Sequence, residues 1–312
     1  MENVVSIQAP AKINLFLDVT GRRADGYHTI TGVMQSIGIC DLVTVGLTYA
    51  PAMGGITLTN ESTLYPRLAP ALPTDRRNIG WRAAEAFMEA AGMDAADWAV
   101  TIHIEKCIPS PAGLAGGSAD AAAVLKAMDI LTDHAVPEKA LYAIAARLGA
   151  DVPFCLSGGA CITEGIGDVL TPVTPLPECD ILVACAGAGV STPAAYRELD
   201  GLYGGFGDDA YRPHTDELEA QLSALASGDL EAVGRHAFNL FESVILPRHD
   251  EARLFRQLML ENGALCAMMS GSGPSVFGLF PTGTSQAAVD AIVASGYACA
   301  CCHPVSGKED VI

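Results

Sequence analysis

The most informative segment of the chain, residues 100–131, reads VTIHIEKCIPSPAGLAGGSADAAAVLKAMDIL. Apolar and polar side chains alternate over residues 100–105, and this period of two predicts a half-buried strand. Pro109 and Pro111 end the alternation, and the chain then continues through small residues as far as Ser118. The segment therefore predicts a strand that leads into a loop of small, flexible residues.

A helix is predicted after this loop, because apolar residues recur at helical spacing from Val124 to Leu131 in an alanine-rich background. We expect Ser118 or Asp120 to cap its first turn. Glycine lets backbone N–H groups face a ligand without a Cβ in the way, and a helix N-terminus adds unpaired donors and a partial positive charge. The segment thus predicts a cradle for an anion, most often phosphate, although a tight turn that merely needs glycine is the alternative.

The order of residues in this loop, Pro-x-x-x-Gly-Leu-x-Gly-Gly-Ser-x-Asp-Ala-Ala from Pro109, is similar to the glycine-rich loop of the GHMP kinases. It is neither the Walker pattern nor the G-x-G-x-x-G pattern of dinucleotide sites. Ala115 stands where the family usually has glycine, and its methyl group is tolerated there if the residue adopts a negative φ.

The resemblance implies that this loop cradles the phosphates of ATP. The residues that it assigns to ATP are Pro109, Ser110, Pro111, Ala112, Gly113, Leu114, Ala115, Gly116, Gly117, Ser118 and Ala119. Lys106, directly before the loop, either approaches a nucleotide phosphate as well or is simply exposed.

Composition limits the class of protein. The 312 residues suffice for one large domain or two of ordinary size. A formal net charge of −18 disfavours nucleic acid and anionic membranes as partners. The chain shows no leader-like start and no apolar run of about 18 residues, so we expect a cytoplasmic protein. The cysteines are scattered and lack a C-x-x-C pair, which favours reduced, buried thiols over a metal site at Cys299, Cys301, Cys302 and His303.

A second informative segment lies near the N-terminus, where residues 7–19 read IQAPAKINLFLDV. The alternation places Lys12 and Asn14 on one face of a strand, about 7 Å apart along it. A lysine beside an asparagine can hold an anion and a hydroxyl group, although a solvated strand face is the more common reason for such a pair.

A predicted turn at Asp25-Gly26 places Tyr27 and His28 together directly after it. An aromatic ring beside an imidazole can stack on a base or sugar and hydrogen-bond to it, although a hairpin corner with ordinary packing also accounts for the pair. Read together, P-A-K-I-N-L-F-L-D-V and G-R-R-A-D-G-Y-H closely resemble the branch of the GHMP kinases that acts on diphosphocytidyl-methylerythritol.

The sequence G-A-D-V-P-F, residues 149–154, follows a predicted helix at 137–148. Gly149 is expected to end that helix and Pro153 to prevent its continuation, which leaves Asp151 in a rigid turn. The resemblance makes Asp151 the catalytic base. It also assigns Tyr196 to substrate stacking and the turn Ser270–Gly273 to an approach to the nucleotide loop.

The remaining C-terminal half is predicted to contain a loop over residues 201–213 and three helices near 214–226, 229–245 and 249–262. A strand, turn and strand follow, then a helix near 284–295 and a last strand near 297–302. This mixture of elements is typical of an α+β domain.

The resemblance implies a two-domain GHMP-kinase fold with the active site in the cleft between the domains. Residues 1–165 would form an ATP-binding domain of the ribosomal protein S5 domain 2-like type, and residues 166–312 a ferredoxin-like, α/β-plait substrate domain. The implied reaction is ATP- and Mg²⁺-dependent phosphorylation of the 2-hydroxyl of diphosphocytidyl-methylerythritol, in non-mevalonate isoprenoid synthesis. Partners would be these small molecules alone, and the protein a monomer or homodimer.

In this reaction, Asp151 accepts the hydroxyl proton and Lys12 forms an ion pair with Asp151 while stabilising charge on the transferred phosphoryl group. Asn14, Tyr27 and His28 orient the cytidine end of the substrate. Two alternatives stay open: another GHMP kinase, acting on homoserine or a sugar, and a non-catalytic nucleotide-binding member of the fold.

Overall fold

The computed structural model describes residues 3–62, 72–185, 187, 189–206 and 211–307. It contains two β-sheets with helices packed against them, which confirms the predicted α+β class. Within these ranges, no helix combines the length and the apolar character needed to cross a bilayer.

The described part of the N-terminal half contains six strands and four helices. In chain order they are β1 (Asn3–Arg22), β2 (His28–Tyr49), β3 (Gly55–Ser62), α1 (Ile79–Ala90), β4 (Trp98–Lys106), α2 (Gly116–Leu131), α3 (Glu138–Leu148), α4 (Val152–Ser157), β5 (Ala160–Glu164) and β6 (Val169–Pro172).

The C-terminal half supplies the remaining elements. They are β7 (Asp180–Ala184), α5 (Thr192–Leu202), α6 (Thr215–Ser227), α7 (Leu230–Arg235), β8 (Phe238–Asn239), α8 (Glu242–Ile245), α9 (Asp250–Glu261), β9 (Cys266–Met269), β10 (Val276–Phe280), α10 (Gln286–Ala294) and β11 (Cys299–Cys302).

The first sheet has the strand order β3-β4-β2-β1-β8, and β5 branches from β2 and carries β6. β4 keeps the predicted alternation, since Val100, Ile102 and Ile104 are buried while Thr101 is exposed. The helix α2 packs against β1 and β2, and its alanine-rich surface lets it lie close to the sheet. This packing brings the start of α2 beside the middle of β1, where Lys12 lies.

The second sheet is antiparallel, in the order β11-β7-β10-β9. With α9 and α10 packed on it, this arrangement confirms the ferredoxin-like plait implied for the C-terminal half. The turn between β9 and β10, which contains Ser270–Gly273, extends from this sheet toward the glycine loop.

The helix predicted at 229–245 is wrong. The segment is divided into α7, the short strand β8 and α8. β8 pairs in parallel with β1, where Phe238 lies opposite Phe16 with ring centroids 5.5 Å apart. The tertiary pairing with β1 thus overrides the local helical preference.

The loop predicted at 201–213 is also only partly correct. α5 continues to Leu202, a 3₁₀ turn covers Gly204–Phe206, and residues 207–210 lie outside the described residues. Tyr211 then donates its hydroxyl hydrogen to Asp18 Oδ1 at 2.6 Å, so the end of this segment is anchored to β1.

The predicted domain boundary between residues 165 and 166 falls in the turn between β5 and β6, which pair with each other in the first sheet. The chain leaves that sheet after β6 and enters the second sheet with β7. β8 then returns to the first sheet, which ties the two halves together.

Candidate active site

A cavity of about 760 Å³ lies where the two halves of the molecule meet. All the residues predicted for catalysis and substrate binding line it: Lys12, Asn14, Tyr27, His28, Asp151 and Tyr196. So do most of those predicted for ATP, namely Pro109, Ser110, Pro111, Ala112, Gly113, Ala115, Gly116, Gly117 and Ser118. The fold therefore brings together residues that are up to about 180 positions apart in the chain.

Three residues of the predicted ATP set lie outside the lining of this cavity. The side chains of Leu114 and Ala119 are each 1% exposed and belong to the hydrophobic core. Lys106 is buried as well and is described below. Most of the loop therefore lines the cavity, while Leu114 and Ala119 pack into the core and anchor it.

The glycine loop is joined to the turn between β9 and β10, as predicted. Ser270 Oγ donates to the backbone oxygen of Gly113 at 3.0 Å, and Gly113 has φ +78°. A Cβ at Gly113 would overlap the backbone oxygen of Ser270. The side-chain amide of Asn239 also stabilises this turn, because its Nδ2 donates to the backbone oxygens of Met269 and Gly271 at 2.8 and 2.9 Å.

The helix α2 begins differently from the prediction. Ala115 is its N-cap residue, in the left-handed conformation with φ +58°, and no side chain caps the helix, so Ser118 and Asp120 do not have the predicted role. Ala115 therefore does not meet the condition of a negative φ under which its methyl group is tolerated without strain. The first N–H groups of α2, which a helix leaves without internal acceptors, belong to the cavity-lining residues that start at Gly116.

The position of Lys106 contradicts its prediction as a phosphate contact or an exposed residue. Its Nζ forms ion pairs with Asp41 and with Asp120, the latter at 2.8 Å, and the residue is 2% exposed. Asp41 Oδ1 also accepts from the backbone N–H groups of Cys107 and Ile108 at 2.6 and 2.8 Å. The side chains of Lys106, Asp41 and Asp120 therefore hold the start of the glycine loop and the first turns of α2 on the side away from the cavity.

A proton on Asp120 reduces the negative charge of the buried group formed by Lys106, Asp41 and Asp120. Burial raises the pKa of Asp120 to about 8 despite the opposing effect of Lys106, while the pKa of Lys106 is raised because its two carboxylate neighbours outweigh its own burial. One ammonium group thus faces two carboxyl groups, of which Asp120 keeps its proton near neutral pH.

Lys12, Asn14 and Asp151 lie at the centre of the cavity. Lys12 is 4% exposed, and its Nζ donates to Asn14 Oδ1 at 2.6 Å. Among the residues that the structure describes, Lys12 has no ion pair with Asp151, so that prediction is wrong for this conformation. The amide nitrogen of Asn14 is buried without a hydrogen-bond partner, which leaves a donor available to a ligand.

Gly149 is the C-cap residue of α3, as predicted. Asp151 occupies the N-cap position of the next helix, α4, and Pro153 lies in the first turn of that helix. Its side chain makes no capping hydrogen bond, so the carboxylate is available to the cavity. Burial, together with the nearby charge of Asp151, raises the pKa of Tyr196 to about 12. The phenol of Tyr196 and the carboxylate of Asp151 are therefore close enough to influence one another across the cavity.

The far end of the cavity contains side chains that the sequence analysis missed. His28 Nε2 lies 2.7 Å from Asp200 Oδ1, and the His28 ring stacks on Tyr196 with centroids 4.5 Å apart and planes inclined by 15°. Arg22 and Arg197 also line this end. No local signal identifies Asp200, because it lies 172 residues from His28 and meets it only through folding.

Two family models match the chain. The model described as GHMP kinases N terminal domain matches residues 78–159, and the model described as GHMP kinases C terminal matches residues 221–298. The first match covers the glycine loop and Asp151, and the second covers the turn that approaches the loop. The fold and these matches define the class of protein, that of the GHMP kinases.

Curated relatives are similar over most of the chain. The 4-diphosphocytidyl-2-C-methyl-D-erythritol kinase of Alkaliphilus metalliredigens is 40% identical over 279 residues, covering 88% of this chain and 88% of the relative. The enzyme of that description from Mycolicibacterium smegmatis is 40% identical over 292 residues, covering 92% and 84%. Within the GHMP kinases, the chain therefore belongs to the family of the 4-diphosphocytidyl-2-C-methyl-D-erythritol kinases.

Solved structures show the same relationship. A crystal structure of a 4-(cytidine 5'-diphospho)-2C-methyl-D-erythritol kinase matches with a TM-score of 0.74 and 32% identity, covering 98% of this chain and 100% of that chain. L. major mevalonate kinase, in complex with R-mevalonate, matches with a TM-score of 0.76 at 15% identity, covering 98% and 97%. The second match shows a shared fold alone.

Proposed function

We propose that this protein transfers the γ-phosphoryl group of ATP to the 2-hydroxyl of 4-diphosphocytidyl-2-C-methyl-D-erythritol, giving the 2-phosphate and ADP, in non-mevalonate isoprenoid precursor synthesis. The observation that carries this proposal is a single cavity in which the glycine loop, Lys12 and Asp151 meet the residues Tyr27 and His28. The curated relatives named above support the choice of this acceptor.

The glycine loop binds the ATP phosphates through backbone N–H groups. Phosphate oxygens accept from the first N–H groups of α2, and the partial positive charge of the helix N-terminus favours the anion. Glycine at position 116 fits the packing behind the loop, because a Cβ there would lie 3.0 Å from Ile108 Cγ2. The loop is therefore shaped by packing behind it as well as by the cavity in front of it.

Mg²⁺ would bind this site mainly as a complex with ATP. Among the described residues no three His, Cys, Asp or Glu side chains converge on a common point, and Mg²⁺ in phosphoryl-transfer sites keeps several waters and phosphate oxygens as ligands. The Ser118 hydroxyl, at the cavity end of the loop, is the protein group that would hold it. When bound, the ion compensates negative charge on the phosphates.

Asp151 acts as the general base. Its carboxylate accepts the proton of the substrate hydroxyl as that oxygen bonds to the γ-phosphorus and ADP leaves with the bond electrons. Lys12 contributes a buried positive charge that stabilises the transferring phosphoryl group. Because Lys12 Nζ is held by Asn14, its position is fixed before ATP binds, which lowers the reorganisation needed in the transition state.

The acceptor is oriented at the far end of the cavity. The free amide nitrogen of Asn14 donates to an acceptor oxygen, while Tyr27, His28 and Tyr196 provide aromatic surfaces and a ring nitrogen for the cytosine base. Tyr27 is 63% exposed, so its ring is available at the rim of the cavity.

We also propose a division into an ATP-binding N-terminal domain and a substrate-binding C-terminal domain, with the change of domain after β6. A formal charge of −18 repels anionic substrates at long range, so Lys12 and the N-terminus of α2 must attract the phosphates locally. We expect a cytoplasmic enzyme. We expect a monomer or homodimer.

The experiment that tests the proposal measures ADP release by the purified protein with Mg·ATP and each of four acceptors: diphosphocytidyl-methylerythritol, homoserine, mevalonate and galactose. We expect release with the first alone. Asp151→Asn should lower kcat by about 10²- to 10⁴-fold, because the base is lost while the shape of the side chain is kept.

Asp290→Asn is the matched control, since Asp290 is exposed on α10 and does not line the cavity. It should retain full activity. Turnover of homoserine or galactose in place of the diphosphocytidyl acceptor would refute the proposed substrate. Undiminished turnover by Asp151→Asn would refute the proposed base, and ATP binding without turnover of any acceptor would favour a non-catalytic protein.

A further inference from the structure

His28 is held on several sides by other residues of the cavity wall. One ring nitrogen, Nε2, lies 2.7 Å from Asp200 Oδ1. The ring face stacks on Tyr196, and Phe206 meets the ring edge-on with centroids 5.7 Å apart. The His28 side chain is only 7% exposed. The imidazole therefore has little freedom to rotate, and its orientation is set by residues of the C-terminal half.

The hydrogen bond to Asp200 also determines which nitrogen of His28 carries a proton. A carboxylate oxygen only accepts, so Nε2 must donate. Arg22 Nη1 lies 3.5 Å from the other oxygen of Asp200, so this carboxylate contacts a cation as well as His28. In the neutral imidazole with its proton on Nε2, Nδ1 is an acceptor, and no described residue forms a hydrogen bond with it.

An acceptor at Nδ1 distinguishes between the two pyrimidine bases. Cytosine presents an exocyclic amino group, which donates, whereas uracil presents a carbonyl oxygen at the same position, which only accepts. An acceptor facing the amino group gains a hydrogen bond, while an acceptor facing a carbonyl leaves two lone pairs opposed in a partly dry site.

We propose that Asp200 is a positioning residue that makes the enzyme select a cytosine over a uracil base, by holding His28 with its proton on Nε2. This inference rests on the proposed function, because it concerns the base of that acceptor. Asp200 itself need not contact the substrate. Its effect passes through His28.

The test compares kcat/KM for the diphosphocytidyl acceptor with kcat/KM for its diphosphouridyl analogue. Asp200→Asn keeps the size of the side chain, but its amide can either accept from Nε2 or donate to it, so both tautomers of His28 become accessible. We expect the preference for cytosine to fall by about 10- to 100-fold. The change should come from a higher KM for the cytidine acceptor, with kcat and the KM for ATP nearly unchanged.

Glu198→Gln is the matched control on the same helix, because Glu198 pairs with Arg248 at 2.5 Å and does not line the cavity. It should preserve the wild-type ratio. An unchanged ratio in Asp200→Asn would overturn the role of Asp200 and leave the proposed function intact. Failure of the wild-type protein to phosphorylate the diphosphocytidyl acceptor would overturn the proposed function instead.

A second measurement needs neither a variant of Asp200 nor turnover. Nitrogen-15 NMR of histidine-labelled wild-type protein, with His28 assigned from the spectrum of His28→Gln, reports directly which ring nitrogen is protonated. We expect His28 as the Nε2–H tautomer. Protonation on Nδ1 alone, or a ring that exchanges between both tautomers, would contradict the proposal.

Discussion

The two ends of the cavity are built in different ways. At the phosphate end, one continuous segment of the chain, the glycine loop and the start of α2, presents backbone N–H groups, and small residues keep side chains out of the way. At the acceptor end, the wall is formed by side chains of residues far apart in sequence, such as His28, Tyr196 and Asp200, which orient one another.

This difference agrees with the ligands that we propose for the two ends. A phosphate group accepts hydrogen bonds in many directions, so backbone donors at a helix start suffice, provided that the local φ and ψ angles are correct. A base or a sugar hydroxyl requires particular donors and acceptors in fixed places. The phosphate end therefore depends on backbone conformation, and the acceptor end depends on the tertiary partners of its side chains.

Among the variants that test this comparison, Gly113→Ala is expected to have the largest effect on stability and ATP affinity. The new Cβ would overlap the backbone oxygen of Ser270, at a residue whose φ of +78° disfavours any side chain. We expect the free energy of unfolding to fall by about 3 kcal/mol, and ATP affinity to fall with it, because the loop and the turn must move apart. Urea denaturation and ATP titration would measure the two effects.

Gly117→Ala is the control for stability at this end. Its Cβ would lie 3.6 Å from Ile79 Cγ2, an ordinary contact, and the residue lies in the first turn of α2. The fold should be as stable as the wild type, or slightly more stable, since alanine favours helix over glycine. If Gly113→Ala and Gly117→Ala destabilised the fold equally, the close contact between Gly113 and Ser270 would not be the cause of the destabilisation.

The next largest effect, at the acceptor end, is expected from Tyr27→Ala. The ring is 63% exposed, so its loss should leave the stability of the fold unchanged, while the KM for the acceptor rises by about 10-fold through lost stacking. The KM for ATP should not change. Steady-state kinetics with each substrate varied in turn separates these outcomes.

Tyr49→Ala provides a matched comparison, because Tyr49 is 59% exposed at the end of β2 and does not line the cavity. Its removal should affect neither KM. If Tyr27→Ala instead weakened ATP binding as strongly as acceptor binding, the two ends would not be independent, and the contrast drawn above would fail.

The smallest effect is expected from Ala115→Gly. Ala115 adopts φ +58°, where an L-residue with a Cβ is strained and glycine is not. We expect the free energy of unfolding to rise by about 1 kcal/mol, with ATP affinity nearly unchanged, because the backbone already has the conformation that the loop needs. Thermal or urea unfolding would measure the gain, and a loss of stability would show that the methyl group makes a favourable contact.

Several features of the site could not be predicted from the sequence, because each depends on contacts between separate elements of the chain. Lys106 was expected near phosphate or solvent, yet it pairs with Asp41 and Asp120 behind the loop, since a buried ammonium must find carboxylates and both arrive from other elements. β8 was predicted as helix because its pairing with β1 is not visible in the local pattern. The ion pair between Lys12 and Asp151 was inferred from their roles, but in the structure Lys12 Nζ donates a hydrogen bond to Asn14 Oδ1 instead.

The sequence by itself determined the strand β4, the glycine loop and the helix α2, because alternation, small residues and helical spacing are local properties of the chain. The candidates Lys12, Asn14, Tyr27, His28 and Asp151 came from short motifs and from their resemblance to the GHMP kinases. Tertiary structure alone decided which of these side chains meet. It placed Asp200 on His28, turned Lys106 away from the cavity and pressed Gly113 against Ser270. Those contacts join residues about 14 to 170 positions apart, and only the packing of two sheets brings such residues within hydrogen-bond distance.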